Sequence, residues 1–182
     1  MSEAAWMVLE RCCAELQLLQ PRIQGSIHPT AVIDGVLDLG EGSVIKAGSV
    51  IEGHVRIGKD CIIGPNAYLR GCCSVGDASK VGHAVEMKDS ILGHHVFISH
   101  LSYIGDSLIE DDVNLGGGCI TSNFRHDAGE IRMMHEGQLC PTGRNKLGAY
   151  IQTGSRIGCN SVVLPGRTIP PHTWIEAGTI VR

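Results

Sequence analysis

From Ile27 onward every sixth residue is aliphatic or methionine: Ile27, Ile33, Leu39, Ile45, Ile51, Ile57, Ile63, Leu69, Val75, Val81 and Met87, eleven positions without a miss. In a chain that is 43% hydrophobic, such a run arises by chance in about one frame in ten thousand, so the period is a structural signal. Glycine follows the periodic residue at Gly40, Gly58, Gly64, Gly76 and Gly82. Small or aliphatic residues recur four positions on, at Ala31, Ser43, Ser49, Val55, Cys61, Ala67, Cys73, Ser79 and Val85. Each hexad predicts one short strand and a corner, with these two positions pointing inward and glycine relieving the bend. Three hexads make a triangular coil that stacks on the next, so parallel strands on three walls bury one column of side chains.

The frame slips by one residue near 90–92, continues at Leu92, Ile98 and Ile104, slips again before Ile109, and continues at Leu115 and Thr121. Irregularities of this kind re-aim side chains at a corner, and these two bracket His100 and Tyr103. Residues 124–145 break the beat and, with Gly129, Gly137, Pro141 and Gly143, predict a long loop thrown out from one corner. The beat resumes at Leu147, Thr153, Cys159, Pro165, Pro171 and Ala177, with Ile151, Ile157, Val163, Ile169, Ile175 and Val181 as the inward column. Ahead of the repeat, residues 3–19 predict a helix: Trp6, Leu9, Cys13, Leu16 and Leu18 or Leu19 share a face, Ser2 serves as N-cap and Pro21 stops the run. Its expected task is to cover the open end of the stack, the alternative being to dock a partner chain. The expected division is a helical cap over 1–22 and a coil domain over 23–182 with a loop over 124–146.

Composition agrees with one repetitive domain: 182 residues, 24 of them glycine, only 4% aromatic. A formal charge of -4 without a basic run argues against a nucleic-acid or anionic-membrane surface, while leaving small anions open. No leader pattern or apolar run of about 18 residues is present, so a cytoplasmic protein is expected. Of eight cysteines, Cys12 and Cys13 are adjacent, as are Cys72 and Cys73, and no CxxC occurs, which predicts reduced thiols.

The polar interruptions carry the chemistry. They are His100-Leu101-Ser102-Tyr103-Ile104-Gly105-Asp106, then Val113-Asn114-Leu115-Gly116-Gly117-Gly118 and Thr121-Ser122-Asn123. With VEMKDS (Val85 to Ser90) and QTGS (Gln152 to Ser155), these segments resemble the acetyltransferase half of the bifunctional glucosamine-1-phosphate acetyltransferase and N-acetylglucosamine-1-phosphate uridyltransferase family. TSNFRHD followed by TGRNKLGAYIQTG resembles the archaeal sugar-1-phosphate nucleotidyltransferases that carry such a domain. The resemblance covers most of residues 27–182, and no nucleotidyltransferase half is expected ahead of residue 27.

The resemblance implies an all-β fold, a single-stranded left-handed parallel β-helix with an N-terminal α-helix and one long loop, assembled as a homotrimer with sites between neighbouring walls. It also implies transfer of acetyl from acetyl-coenzyme A to the amine of glucosamine 1-phosphate, toward UDP-N-acetylglucosamine, with no metal required. His100 is then the base that deprotonates the amine, a task suited to imidazole because its pKa lies near working pH. Tyr103, Asn114 and Asn123 match the positions that hold sugar and acetyl group, and Arg70 and Lys88 the basic pair on the phosphate. Amides around Gly116 to Gly118 are candidates for the oxyanion. Gly117, Ser155 and Ala177 fall where the coenzyme arm runs. The family carries lysine after the asparagine, whereas residues 124–138 contain none, leaving Arg144 and Lys146 as substitutes.

Two other function classes fit part of the pattern. Hexapeptide coils also form zinc hydratases with three histidines, for which His95 and His100 stand five apart and His83, His94 or His126 offers a third ligand. That class lacks the HLSYIGD pattern. A sugar-phosphate or sugar-nucleotide-binding module could keep the cleft without the chemistry.

Overall fold

The computed structural model describes residues 3–182. They form a left-handed parallel β-helix of about nine turns, one helix and one antiparallel arm. The periodic positions point inward: from Leu39 to Met87 every one is at most 1% exposed. Ile27 and Ile33 at the first end, and Ile175 and Val181 at the last, are only partly buried, because no further coil covers them. Burying one such side chain contributes about 1.5–3 kcal/mol, so a stack of identical layers is held by its axis. From Ser43 to Val85 the positions four residues on are buried too, and at two of the serines the hydroxyl caps the backbone: Ser43 Oγ donates to the Gly58 carbonyl (2.7 Å) and accepts from the Cys61 amide (2.8 Å), and Ser79 Oγ accepts from the Val96 amide (3.0 Å).

One wall is an eight-stranded sheet that includes Lys80–His83, Phe97–His100, Asn114–Leu115 and Arg156–Ile157. The other two walls form one thirteen-stranded sheet, because Val32–Leu39, Val50–Ile57 and Tyr68–Val75 run through the corner between them. Beyond Val75 that sheet divides. Glu86–Lys88, Tyr103–Gly105 and Ile120–Thr121 make the forward wall; Ile91–Leu92, Leu108–Ile109 and Ala149–Ile151 make the rear wall.

The two frame slips lie on top of one another. Leu69 pairs with Met87 eighteen residues on, but Val75 pairs with Leu92 and Leu92 with Ile109 seventeen on. Both turns therefore lose their residue at the forward-to-rear corner, at Lys88-Asp89-Ser90 and Gly105-Asp106-Ser107, where Asp89 and Asp106 take left-handed φ values of 44° and 47°. The same corner also emits the arm. The expected loop is a hairpin of Ile131–His135 against Gln138–Arg144, closed at its base by a bridge between Phe124 and Lys146.

Helix α1 spans Ala5–Leu16, and its N-cap position, Ala4, supplies no side-chain bond; the expected N-cap Ser2 lies outside the described residues. The helix does not sit across an open end. It lies along the rear wall against Val50–Ile57, Tyr68–Val75 and Leu108–Ile109. There Ala5 and Leu9 join Ile131, Met133 and Leu147 in a second small core, with Trp6 packed against it. The Trp6 ring meets His135 of the arm edge-on at 5.8 Å. Reduced thiols are found at Cys61, Cys73 and Cys119, which are buried in the coil, but Cys13 of the helix is bonded to Cys72 of the wall. Neighbours in sequence did not pair; docking of the helix brought together two cysteines 59 residues apart. No helix among the described residues is long and apolar enough to cross a membrane.

Candidate active site

The forward wall has chemistry at both edges. Along its face the register stacks Tyr68, Glu86, Tyr103 and Ile120, and at the rear-facing edge Arg70, Lys88 and Gly105. Gly105 continues the column of cations without a side chain. A Cβ there would lie 2.5 Å from Tyr103 Oη and 2.7 Å from its ring, so the glycine is what lets the tyrosine fold over the corner. Arg70, Lys88, Tyr103, Asn123, Phe124 and Lys146 line a cleft of about 400 Å³ at this edge.

Beneath the cleft lies Asp106, only 3% exposed. It accepts from Asn123 Nδ2 at 2.5 Å, faces Lys88 Nζ with both oxygens at 3.3 Å, and has Arg144 at 3.8 Å. Its amide donates to the Lys88 carbonyl (2.8 Å). Asn123 Nδ2 also donates to Tyr103 Oη at 3.1 Å, so carboxylate, amide and phenol form one chain. Lys88 is paired with Asp89 as well. Burial works against its ammonium, but the two aspartates outweigh it and hold the lysine above its ordinary range. Burial, with the Asp106 charge behind it, raises Tyr103, keeping it a neutral phenol. Arg70 is gripped by Glu86 (2.7 and 2.9 Å), which raises the guanidinium further. The cleft is thus a set of cations held ready by carboxylates.

His100 occupies the opposite edge, at the corner from the eight-stranded wall to the forward wall. It is exposed and stacks in register on His83. Its carbonyl accepts from the Gly118 amide (2.9 Å) and from Ser102 Oγ (2.8 Å), which fixes the backbone and leaves the ring outside. Above it the same corner passes through Gly117, Cys159 and Ala177, each amide beyond the corner bonding back to the carbonyl below. Of the three glycine amides, Gly116 donates to Ile157 and Gly118 to His100, leaving Gly117 N–H without a backbone acceptor among the described residues.

Arg70, Lys88, Tyr103 and Asn123 therefore meet in one cleft, and His100, Gly117 and Ala177 share the facing corner. Two of the expected residues join neither group within one chain. Asn114 lies on the eight-stranded wall between Phe97 and Arg156, away from Tyr103 and Asn123, in a separate cleft with Gly116, Cys159 and Ala177. Ser155 takes the inward position of its hexad: it is fully buried and donates to the Pro170 carbonyl (2.9 Å), so its hydroxyl does not face a coenzyme. Asp106 was not singled out from sequence, although the slip that turns it into the corner was visible. Lys146 restores the lysine missing after Asn123, from the other foot of the arm. Among the described residues no three His, Cys, Asp or Glu side chains are grouped to hold a metal ion.

The family model for the bacterial transferase hexapeptide (six repeats) matches residues 54–89. The bifunctional sugar-1-phosphate nucleotidylyltransferase/acetyltransferase of Sulfurisphaera tokodaii is 40% identical over 158 residues, which are 87% of this chain and 39% of that protein. The bifunctional protein GlmU of Heliobacterium modesticaldum is 34% identical over 85% of this chain and 33% of its own length. The chain thus spans little more than a third of these relatives. A solved UDP-N-acetylglucosamine acyltransferase from Francisella novicida aligns with 87% of this chain and 64% of its own, at 16% identity and a TM-score of 0.42. By its repeats and by these matches, the chain carries hexapeptide repeats and is similar over most of its length to part of the bifunctional sugar-1-phosphate nucleotidylyltransferase/acetyltransferases.

Proposed function

We propose that this chain transfers acetyl from acetyl-coenzyme A to the amine of an amino sugar 1-phosphate, glucosamine 1-phosphate in the first instance. The observation that carries the reading is the meeting of Arg70, Lys88 and Lys146 with Tyr103 and Asn123 in one cleft, on the wall whose other edge holds an exposed imidazole. A phosphomonoester suits a guanidinium fork flanked by two ammonium groups, and it would take Arg70 and Lys88 over from Glu86 and Asp89. Tyr103 and Asn123 then face the sugar. His100 removes a proton from the ammonium, the freed nitrogen attacks the thioester carbonyl, and the thiolate leaves. The Gly117 N–H, without a backbone acceptor among the described residues, is the donor for the transient oxyanion, with the coenzyme laid along the Gly117, Cys159 and Ala177 corner.

A homotrimer, which hexapeptide coils commonly form, would bring a neighbouring wall, Asn114 included, to this corner. Acetyl-coenzyme A as donor places the reaction in the cytoplasm. The test is release of free thiol from acetyl-coenzyme A with glucosamine 1-phosphate or galactosamine 1-phosphate as acceptor. Acceptor-dependent release supports the proposal; none with either sugar overturns it. Sedimentation at the mass of three chains is expected, and a monomer would remove the shared-site part.

A further inference from the structure

The arm and the last coils enclose a second cavity, of about 490 Å³, which shares only Phe124 with the acceptor cleft and falls within the usual size of a small-molecule site. Leu139, Leu164 and Pro165 join Phe124 in an apolar lining, and Arg125, Arg132 and Arg167 bring positive charge. Arg125 is neutralised by Asp127 at 2.8 Å. Among the described residues the other two are not. Arg132, which is exposed, donates there only to the Leu139 carbonyl of its own arm, at 3.1 Å. Arg167 is half-buried, its Nε has no acceptor, and no carboxylate is paired with it among the described residues. A buried N–H left without an acceptor calls for a partner.

The juxtaposition is built in. Gly166, at φ +72°, lies where a Cβ would come 2.3 Å from the Arg132 carbonyl oxygen and 2.6 Å from Ile131, so its bareness is what seats the arm beside Arg167.

We propose that this cavity binds an organic phosphate, with Arg132 and Arg167 on the phosphoryl group and the apolar lining on the organic part. Two unanswered positive charges match a phosphomonoester dianion, whereas a carboxylate would leave one unmatched. The site is independent of acetyl transfer.

Calorimetric titration of the purified chain with uridine 5′-monophosphate, inorganic phosphate and uridine tests it. The nucleotide binds, more tightly than phosphate, and uridine does not. Arg167→Gln and Arg132→Gln each weaken nucleotide binding roughly ten-fold or more, the loss of one charge-assisted contact. Lys88→Ala, in the acceptor cleft, leaves it unchanged, and Arg167→Gln leaves acceptor-dependent thiol release unchanged. Leu139→Trp, which fills the cavity without touching a charge, blocks the nucleotide and guards against misfolding of an arginine variant. No binding by the unaltered chain, equal binding by Arg167→Gln, or loss in Lys88→Ala would overturn the proposal.

Discussion

The two edges of the forward wall are built differently. The His100 corner keeps the regular beat: His83, His100, Gly117, Cys159 and Ala177 follow one another, each backbone bonded to the next, and the imidazole is exposed. At the Lys88 corner two successive turns lose a residue, the arm departs, and a carboxylate is drawn almost wholly inside. Of the two shortened corners, Asp89 stays part exposed, whereas Asp106 lies under the foot of the arm, where it faces Lys88, Asn123 and Arg144 at once. The imidazole proposed as base thus sits on a regular corner, and the charge-gathering groups on the irregular one.

The strongest way to break this contrast is His100→Ala, for which turnover should fall roughly 10²- to 10⁴-fold, the range for loss of a general base. The melting temperature should stay where it is, since the ring is exposed; unchanged turnover would remove the imidazole from the chemistry. Asp106→Ala should do the reverse in kind, lowering stability to urea by about 3 kcal/mol, the lower end for removing one partner of a buried ion pair, because Lys88 keeps Asp89. Asp106→Asn should recover much of that, and equal stability for Asp106→Ala and the unaltered chain would deny the buried carboxylate its organising role.

Arg70→Lys sharpens the picture of the phosphate edge. The Michaelis constant for the sugar phosphate should rise about ten-fold with a smaller change in turnover, since a bidentate fork is lost and a charge kept. A change confined to turnover would place Arg70 elsewhere in the reaction. The smallest effect concerns pH. Burial raises the Asp89 carboxyl, but Lys88 and the Cys72 amide outweigh it and hold the group below its ordinary value. A depressed folded pKa stabilises above the unfolded value, about pH 4, and that contribution fades as pH falls through the folded value. Asp89→Asn should therefore flatten the acid limb of a melting-temperature profile between about pH 3 and 5. An unchanged limb would show that the pair is too well solvated to matter.

Much of the candidate site was legible because the hexad fixes orientation. Once Leu69 and Met87 are known to point inward, Arg70 and Lys88 must stack at the corner beyond them, eighteen residues apart. The same rule turns Ser155 inward, four residues after Ile151, yet the resemblance had set it on the coenzyme path. Asn114 was likewise grouped by family order with residues that the coil places on another wall.

From the sequence alone came the period, the inward columns, both slips and the residues that interrupt them, because a strand alternates its faces and a coil repeats its length whatever it touches. The structure alone decided that the slips coincide, that the helix lies along the rear wall and is bonded through Cys13 to Cys72, and that Lys146 returns to the cleft its segment leaves. Those contacts join residues far apart in the chain and obey no local period, so only the packing of whole elements settles them.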